Sequence, residues 1–490
     1  MAQFLALDIG AESGRAVLGT LNEGLLAMKE VHRFPNGPVP VLGRLYWDIL
    51  HLWSGVLDGL RLASEMELAA IGLDTWGVDF ALLDERGALL DNPIHHRDAR
   101  TNGMMERVFE KVPREEVFAR TGIQFMQINS LYQLYAMVLE GAPALRHAAT
   151  FLTTPDLLNY WLTGRMVSEF SSATTTQCYD PRAGDWARDM LERLDIPTHI
   201  LPQVVPPGTV LGTVKAPIPG VEGRVPVVAP PCHDTGSAVA AVPSEVERFV
   251  YISSGTWSLM GTEVYAPVIT PDSLRFNFTN EGGAAGTYRL LKNILGLWLV
   301  QECRRTWAAG GEHFSYDELT QMAAEAPPFG AVLDPDPNSP DFLAPGDMPA
   351  RIVAYCERTG QPRPEGKGAI LRCALESLAL KYRQTLEQLE MMLGHPMEVI
   401  HIVGGGSRNT LLCQLAADAT NRPVIAGPVE ATSVGNIMVQ AIATGHLGSV
   451  AEGRAMVRRS FELTRYEPHP SPAWDDAYAR FLDVAGASEC

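Results

Sequence analysis

Positively charged residues are scarce in this chain of 490 residues. Its 39 lysines and arginines stand against 57 aspartates and glutamates, which gives a formal net charge of −18 at pH 7. A surface of this sign repels nucleic acid and anionic membranes, so neither is expected as a partner. No apolar run is long enough to cross a bilayer, and Asp8 interrupts the first apolar segment, so no signal peptide is predicted. These absences favour a cytoplasmic enzyme.

Cysteine is also used sparingly. The seven cysteines are scattered and form neither a C-x-x-C pair nor a set with zinc-like spacing. Cys356 and Cys373 could join in a disulfide, but free thiols are the expected state in a cytoplasmic protein.

The common glycine-rich nucleotide motifs are missing. Gly366-Lys367-Gly368 lacks the upstream glycine and the hydroxyl residue of a Walker motif. The run 404–406 follows an apparent strand, but a dinucleotide fingerprint would need glycine at position 409, where the chain has asparagine. We instead interpret this run as the ceiling of an adenosine pocket, with tight packing between a strand and a helix as the alternative.

Two stretches about 245 residues apart share one plan. Residues 5–18 and 250–260 each contain an apolar strand, a turn of small residues and a second strand. Glycine and serine at such a tip let backbone N–H groups converge on an anion, because no large side chain blocks the approach. One turn in each half predicts two lobes that bind a single polyphosphate.

The order of elements predicts an α/β fold with two ribonuclease-H-like lobes, of the actin or hexokinase ATPase type, and a cleft between them. Three strands, a helix and a further strand recur in both halves, since apolar periodicity changes from strand-like to helical at matching places. In the first half these segments are 3–9, 15–21, 24–33, 48–64 and 69–74, and in the second they are 249–253, 257–264, 287–292, a helix from about 296, 367–393 and 398–403.

Three domains are predicted from this pattern. The first, 1–243, is a lobe for the substrate and the first phosphate turn, and the second, 244–455, is a lobe for the nucleotide and its adenosine. The segment 456–490 is a tail that packs on the lobes. Many prolines and glycines between about 197 and 232 indicate an irregular connection.

Asp234 is the strongest candidate for a catalytic residue. It lies in Cys232-His233-Asp234-Thr235-Gly236, directly after the proline-rich connection. Phosphoryl transfer to an alcohol needs a carboxylate that accepts the hydroxyl proton while the γ-phosphate is held in line. The alternative is that Asp234 is only a helix N-cap.

Three other polar groups join this hypothesis. Asp8, at the end of the first strand, is placed to hold a water on Mg²⁺, which prefers few carboxylates and several waters. The segment 74–79 offers hydroxyl-binding groups beside Trp76, as a polyol site requires, although Trp76 by itself favours interpretation as a core residue. The segment 95–98 is either part of this site or a solvated loop.

Taken together, these motifs make the chain resemble the FGGY carbohydrate kinases over essentially its whole length. The resemblance rests on long and unusual segments. They are 71–80, 97–103, 172–177, 253–261, 279–283, 291–294, 401–406 and 426–436.

The resemblance implies a role for further residues. Asp234 would be the proton acceptor of the family, and the sugar would be bound by Gly77, His233, Asp234, Thr235 and Asn293. ATP would be bound by Ala11, Glu12, Ser13, Gly14, Arg15, Thr256, Gln301 and Gly405. Glu12 stands where the family would have a small polar residue. This departure puts a direct role of Glu12 in ATP binding in question, because a carboxylate repels phosphate unless it points away or toward the metal.

The function that the resemblance implies is ATP- and Mg²⁺-dependent phosphorylation of L-rhamnulose at its 1-hydroxyl, by a monomer or small homo-oligomer. One alternative keeps the chemistry and changes the ketose, for instance to L-fuculose or L-xylulose. Another is an actin- or chaperone-like ATPase, which shares the lobes but needs no carboxylate facing an alcohol. A sugar-binding regulator without turnover is disfavoured by Asp234.

Overall fold

The structure is a computed structural model that describes residues 1–486. Its strands are β1 (Ala2–Ile9), β2 (Ser13–Asn22), β3 (Leu25–Pro35), β4 (Pro38–Val41), β5 (Arg44–Trp47), β6 (Leu68–Thr75), β7 (Phe80–Leu83), β8 (Thr150–Thr153), β9 (Ser168–Glu169), β10 (Tyr179–Asp180), β11 (Asp185–Trp186), β12 (Val204–Val205), β13 (Thr209–Thr213), β14 (Pro226–Ala229), β15 (Phe249–Ser254), β16 (Ser258–Val264), β17 (Thr279–Gly282), β18 (Tyr288–Ile294), β19 (Val399–Val403), β20 (Val424–Ala426) and β21 (Thr464–Tyr466).

The helices alternate with these strands. They are α1 (Ile49–Ala63), α2 (Met104–Phe109), α3 (Arg114–Thr121), α4 (Ser130–Glu140), α5 (Pro143–Arg146), α6 (Thr154–Thr163), α7 (Phe170–Thr175), α8 (Arg188–Arg193), α9 (Asp234–Ala240), α10 (Pro271–Arg275), α11 (Trp298–Ala309), α12 (Tyr316–Glu325), α13 (Met348–Arg358), α14 (Gly366–Leu393), α15 (Thr410–Thr420), α16 (Ala431–Ala443), α17 (Val450–Ser460) and α18 (Pro472–Gly486), with 3₁₀ turns at Ala99–Thr101 and Gly405–Arg408.

The chain forms two compact units, each built from separate segments. Unit 1 comprises Met1–Pro243, Glu263–Leu290 and Ala431–Ser460. Unit 2 comprises the other described residues, Ser244–Thr262, Leu291–Glu430 and the segment from Phe461 to Gly486. The predicted division of the chain at residue 243 did not include the two later segments, Glu263–Leu290 and Ala431–Ser460, that belong to unit 1. The roles assigned to each lobe stay predictions.

The main sheet of unit 1 has the strand order β13-β14-β6-β1-β2-β3. β1, β2 and β3 are antiparallel neighbours, whereas β6 runs parallel to β1 and β14 runs parallel to β6. The last six residues of β1 are buried, because the sheet is covered on both faces at its centre. Helix α1 packs its apolar stripe on this sheet, and the Asp48 side chain caps it by accepting the N–H of His51.

The sheet of unit 2 repeats this pattern along β18-β16-β15-β19-β20. β16 is antiparallel to β15, and β19 and β20 follow in parallel. Each unit thus has antiparallel strands first and parallel strands after a helical excursion, which is the order predicted from the sequence. The α/β fold class with two related lobes is confirmed.

The sequence-based elements agree with the structure where apolar periodicity is strong. The segment 367–393 is helix α14 and the segment 69–74 lies within β6. The sequence reading missed most elements between 76 and 200, where a second apolar core of unit 1 forms around Phe80, Phe151 and Trp186.

The described residues contain no helix with the length and apolar character needed to span a bilayer. The six cysteines within residues 1–486 are all buried and free, so Cys356 and Cys373 are thiols, as expected. Cys490 and the end of the predicted tail lie outside the described residues.

Candidate functional site

The first turn of unit 1 joins β1 to β2. The Gly10 N–H donates to the carbonyl of Ser13 at 3.0 Å, and the Asn36 side chain donates to the Gly10 carbonyl at 2.8 Å. Ala11 and Glu12 are exposed at the tip, whereas Gly14 is buried because the ring of Phe34 packs on it. A Cβ at position 14 would lie 2.2 Å from that ring, which explains the glycine.

Asp8 anchors the base of this turn. Its Oδ2 accepts from Arg15 Nη2 at 2.7 Å and from Ser433 Oγ at 2.9 Å. Asp8 and Arg15 are direct partners in the antiparallel register of β1 and β2, so the strand pairing itself brings the ion pair together. Ser433 lies 425 residues later in the sequence, on α16. No pattern in the sequence indicated this contact.

Asp234 is the first residue of α9, and His233 is the N-cap. The N-cap alternative for Asp234 is therefore wrong. Asp234 Oδ1 accepts from the Thr235 N–H at 2.6 Å and lies 3.5 Å from His233 Nε2. About a third of the side chain, 32%, is exposed, so the carboxyl is open to a small ligand.

Three carboxyl groups, Asp8, Asp74 and Asp234, influence one another in unit 1. Burial raises the pKa of Asp234, His233 opposes the rise and the charge of Asp8 adds to it. Burial also raises the pKa of Asp74 well above its usual range, and the charge of Asp8 contributes. Asp74 lies beside Asp8 in the parallel register of β1 and β6, and its Oδ2 accepts from Asn436 Nδ2 at 2.5 Å.

Hydrogen bonds to residues at the start of α7 hold the backbone of His233 and of the residue before it. The Cys232 N–H donates to Glu169 Oε2 at 2.9 Å, and the His233 N–H donates to Ser171 Oγ at 3.0 Å. Glu169 is buried, and this burial raises its pKa to about 7. These contacts fix the segment before Asp234 through backbone groups.

The His233 ring is held by two residues that sequence reasoning missed. Its Nδ1 lies 3.1 Å from Glu281 Oε2 and 3.1 Å from Arg289 Nη2. Glu281 and Arg289 form a buried ion pair at 3.0 Å. Burial works to raise the pKa of Glu281, but Arg289 and His233 outweigh it and hold that pKa below its ordinary value. Glu281 lies in the segment 279–283, which carried the family resemblance but for which no role was predicted.

A second buried cluster surrounds Asp79. Its Oδ2 accepts from the indole N–H groups of Trp47 and Trp76, at 2.7 and 2.8 Å, and lies 2.7 Å from His96 Nδ1. Burial, followed by the neighbouring His96, lowers the pKa of His95 to about 3. Both histidines are buried, so the solvated-loop alternative for the segment 95–98 is wrong.

Gly77 precedes a strained residue in this cluster. Val78 has a φ of +67°, which is unfavourable for a β-branched side chain. Its carbonyl accepts from Ser130 Oγ at 2.5 Å, and its N–H donates to Thr175 Oγ1 at 3.2 Å. A Cβ on Gly77 would lie 3.1 Å from Thr175 Cγ2, so a larger residue would press on the same support.

The matching turn of unit 2 joins β15 to β16. Its carbonyls at Gly255 and Thr256 accept the N–H groups of Leu297 and Trp298, at 3.1 and 2.9 Å, where α11 begins. Gln301 lies one turn further along this helix, and its Oε1 is buried without a hydrogen-bond partner among residues 1–486.

The glycine run after β19 packs against the same turn. A Cβ on Gly406 would lie 2.0 Å from Ser254 Oγ, and one on Gly404 would lie 2.9 Å from the Ser254 carbonyl. Gly405 is exposed and has open space around its Cβ position. Tight packing, the alternative interpretation of this run, therefore accounts for Gly404 and Gly406 but not for Gly405.

The structure thus gathers the predicted residues into two groups. Unit 1 brings together Asp8, residues 11–15 and 233–235, with Gly77 in the neighbouring cluster. Unit 2 brings Thr256, Gln301 and Gly405 around one turn, and it also contains Asn293, which is buried in β18.

Residues 3–240 match the N-terminal domain of the FGGY family of carbohydrate kinases, and residues 250–444 match its C-terminal domain. The chain belongs to the FGGY family. It is a carbohydrate kinase with both domains of the family present.

The similar FGGY proteins include rhamnulokinases. That of Bacteroides thetaiotaomicron is 45% identical over 482 residues, which cover 98% of this chain and 98% of that protein. That of Oceanobacillus iheyensis is 40% identical over 467 residues, which cover 94% and 97% of the two chains.

Solved structures of a xylulose kinase and a glycerol kinase share the fold. The ligand-bound xylulose kinase of Lactobacillus acidophilus has a TM-score of 0.84 at 16% identity, over 100% of this chain and 99% of that one. The Plasmodium falciparum glycerol kinase with ADP has a TM-score of 0.77 at 15% identity, over 100% and 98%. At such identities the likeness shows the fold alone.

Proposed function

We propose that this FGGY kinase transfers the γ-phosphoryl group of ATP to the 1-hydroxyl of L-rhamnulose, giving L-rhamnulose 1-phosphate and ADP. The observation that carries the proposal is the partly exposed Asp234 carboxyl at the start of α9, with His233 beside it. The choice of sugar is supported by the near-complete coverage at 45% identity with a rhamnulokinase.

Asp234 serves as the general base. It lies where its Oδ1 is already engaged by the Thr235 N–H, so Oδ2 is the oxygen that accepts the proton of the sugar hydroxyl. Its raised pKa makes it a better proton acceptor than an ordinary aspartate. His233 and Thr235 bind the sugar and orient the 1-hydroxyl, together with Gly77 and Asn293.

Residues 11–15 bind the phosphates of ATP through their backbone N–H groups, and Arg15 offers a positive charge there. Glu12 is exposed at the tip, where solvent screens its charge from the phosphates. Thr256, Gln301 and Gly405 bind the nucleotide from unit 2. The buried and unpartnered Oε1 of Gln301 accepts a hydrogen bond from it, and the bare Gly405 lets it approach closely.

A magnesium ion fits the site only when held mainly by phosphates and water. Within residues 1–486, no group of three or more histidine, cysteine or acidic side chains could hold a metal directly. Both contacts of Asp8 go to Oδ2, so Oδ1 would meet a water on the ion. The ion would supply charge neutralisation on the transferring phosphoryl group.

We further propose that the enzyme acts in the cytoplasm as a monomer or small homo-oligomer, without nucleic acid or membrane partners. The six free, buried thiols fit a reducing compartment.

A panel of ketoses tests the proposal. Initial rates of ADP formation are measured with L-rhamnulose, L-fuculose, L-xylulose and no sugar, at saturating ATP and Mg²⁺. We expect kcat/KM for L-rhamnulose to exceed the others by at least about tenfold, since a kinase pocket built for one sugar discriminates by roughly 1–3 kcal/mol per altered group. A higher value for another ketose would replace the sugar, and ADP formation that no sugar stimulates would contradict the kinase assignment.

A further inference from the structure

The ion pair between Glu281 and Arg289 lies next to the His233 ring, and the proposed phosphoryl transfer assigns it no role. Both side chains are buried, and Arg289 has no exposed surface. Arg289 Nη2 lies 3.0 Å from Glu281 Oε2 and 3.1 Å from His233 Nδ1, so the three groups form a triangle.

This pair is poorly explained as a stabilising device. A buried ion pair loses its hydration, and apolar residues of similar volume commonly stabilise a fold as well or better. Glu281 Oε2 and Arg289 Nη1 also have no hydrogen-bond partner among the described protein groups, so Glu281 meets Arg289 and His233 as close charges and the fork of Arg289 is only partly used. A pair retained under these conditions points to a requirement for orientation.

Close packing of strand β17 against helix α7 brings Glu281 to His233. In the strand β17, the Gly282 N–H donates to Thr174 Oγ1 at 2.7 Å. A Cβ on Gly282 would lie 2.6 Å from the Phe170 ring, so only glycine lets β17 approach α7 this closely. Arg289 is tied to the same strand, because its Nε donates to the Gly282 carbonyl at 2.8 Å.

The other ring nitrogen of His233, Nε2, lies on the side of Asp234. With Nδ1 held by the pair, Nε2 is directed toward Asp234, at 3.5 Å from Oδ1. The backbone of His233 is fixed separately by Ser171, so the ion pair acts on the ring rather than on the helix start.

We propose that Glu281 and Arg289 are positioning residues for phosphoryl transfer, which fix the His233 ring so that Nε2 meets the sugar beside Asp234. The inference rests on the proposed function, since it assumes that His233 binds the sugar. Loss of a side chain that orients a ligand-binding residue typically changes activity by about 10- to 100-fold.

The test is a double-mutant cycle of Glu281→Gln and His233→Ala in the full chain. Glu281→Gln keeps the size of the side chain and removes its charge. We expect kcat/KM for the sugar to fall by roughly 10- to 100-fold while KM for ATP stays within about twofold. In the His233→Ala background the same change should have almost no further effect, because the ring on which it acts is gone.

Glu263→Gln is the matched control. Glu263 also forms a largely buried ion pair in unit 1, with Arg454 at 2.5 Å, but it does not contact His233. Thermal melting of each variant shows whether lost stability explains lost activity. If Glu281→Gln does not fold, Arg289→Lys, which keeps the charge and changes the fork, enters the cycle in its place.

Three results would overturn the inference. They are unchanged sugar kinetics in Glu281→Gln, an equal loss in the presence and absence of the His233 ring, and equal losses in Glu281→Gln and Glu263→Gln. Failure of the proposed function is distinguishable, because it appears in the wild type as a different preferred ketose, and the cycle is then measured on that sugar.

Discussion

The two small-residue turns share a strand plan but differ in the groups that surround them. The turn of unit 1 is surrounded by charges, since Asp8, Arg15 and Asp234 all belong to its neighbourhood. The turn of unit 2 is held by backbone carbonyls and by glycines packed on Ser254. Two turns with similar backbones therefore differ in chemistry. Ionisable side chains surround the turn of unit 1, whereas glycines pack closely on the turn of unit 2.

The largest expected effect comes from the charged group. Asp234→Asn should lower kcat by roughly 10³-fold or more, because the amide cannot accept the sugar proton. Binding of ATP and of the sugar should persist, and isothermal titration calorimetry with each ligand checks this. Near-normal turnover in the variant would remove Asp234 from the role of base.

A smaller effect distinguishes packing from ligand approach in unit 2. Gly406→Ala should destabilise the fold by about 1–3 kcal/mol, because its Cβ has no room beside Ser254. Gly405→Ala should leave the melting temperature nearly unchanged, since that position is open, but raise KM for ATP several-fold. Thermal melts and ATP titrations measure both variants. An unchanged KM for ATP in Gly405→Ala would show that the nucleotide does not approach this residue.

The smallest effect concerns pH and the buried Glu169 of unit 1. The folded protein holds the pKa of Glu169 at about 7, above that of an unfolded glutamate near 4.3, so folding binds a proton in this window. This contribution to the free energy of unfolding therefore falls as pH rises from about 4.3 to about 7. Glu169→Gln cannot ionise, so its stability relative to wild type should rise with pH, by at most about 1.4 kcal/mol per unit.

Urea unfolding of wild type and Glu169→Gln at pH 5 and pH 7.5 measures this difference. Gly405→Ala is the control, because its substituted position carries no titratable group and its difference from wild type should be independent of pH. A constant difference for Glu169→Gln would mean that Glu169 does not bind this proton in the folded state.

Much of the fold and part of the site were predictable from the sequence. Apolar periodicity identified β1 and α14, and Asp8 was correctly placed near the end of its strand. Local patterns cannot reveal partners that are distant in the chain. Glu281 was therefore visible as part of an unusual segment, but its contact with His233 depends on how β17 packs against α7.

The strain at Val78 escaped prediction for a related reason. Its φ of +67° is maintained by Ser130 and Thr175, which lie 52 and 97 residues away in the sequence. A sequence pattern that places Trp76 on an aromatic wall cannot show the backbone conformation that follows it.

Helix α16 supplies Ser433 to Asp8 and Asn436 to Asp74, although both aspartates lie within the first 75 residues of the chain. During translation, a ribosome adding about 5–20 residues per second reaches α16 roughly 20 to 90 s after β1 has emerged. Over that interval the nascent chain carries two carboxyl groups without their final partners. Shortened chains that end before residue 431 would keep this defect permanently, so unit 1 matures only after most of unit 2 has been synthesised.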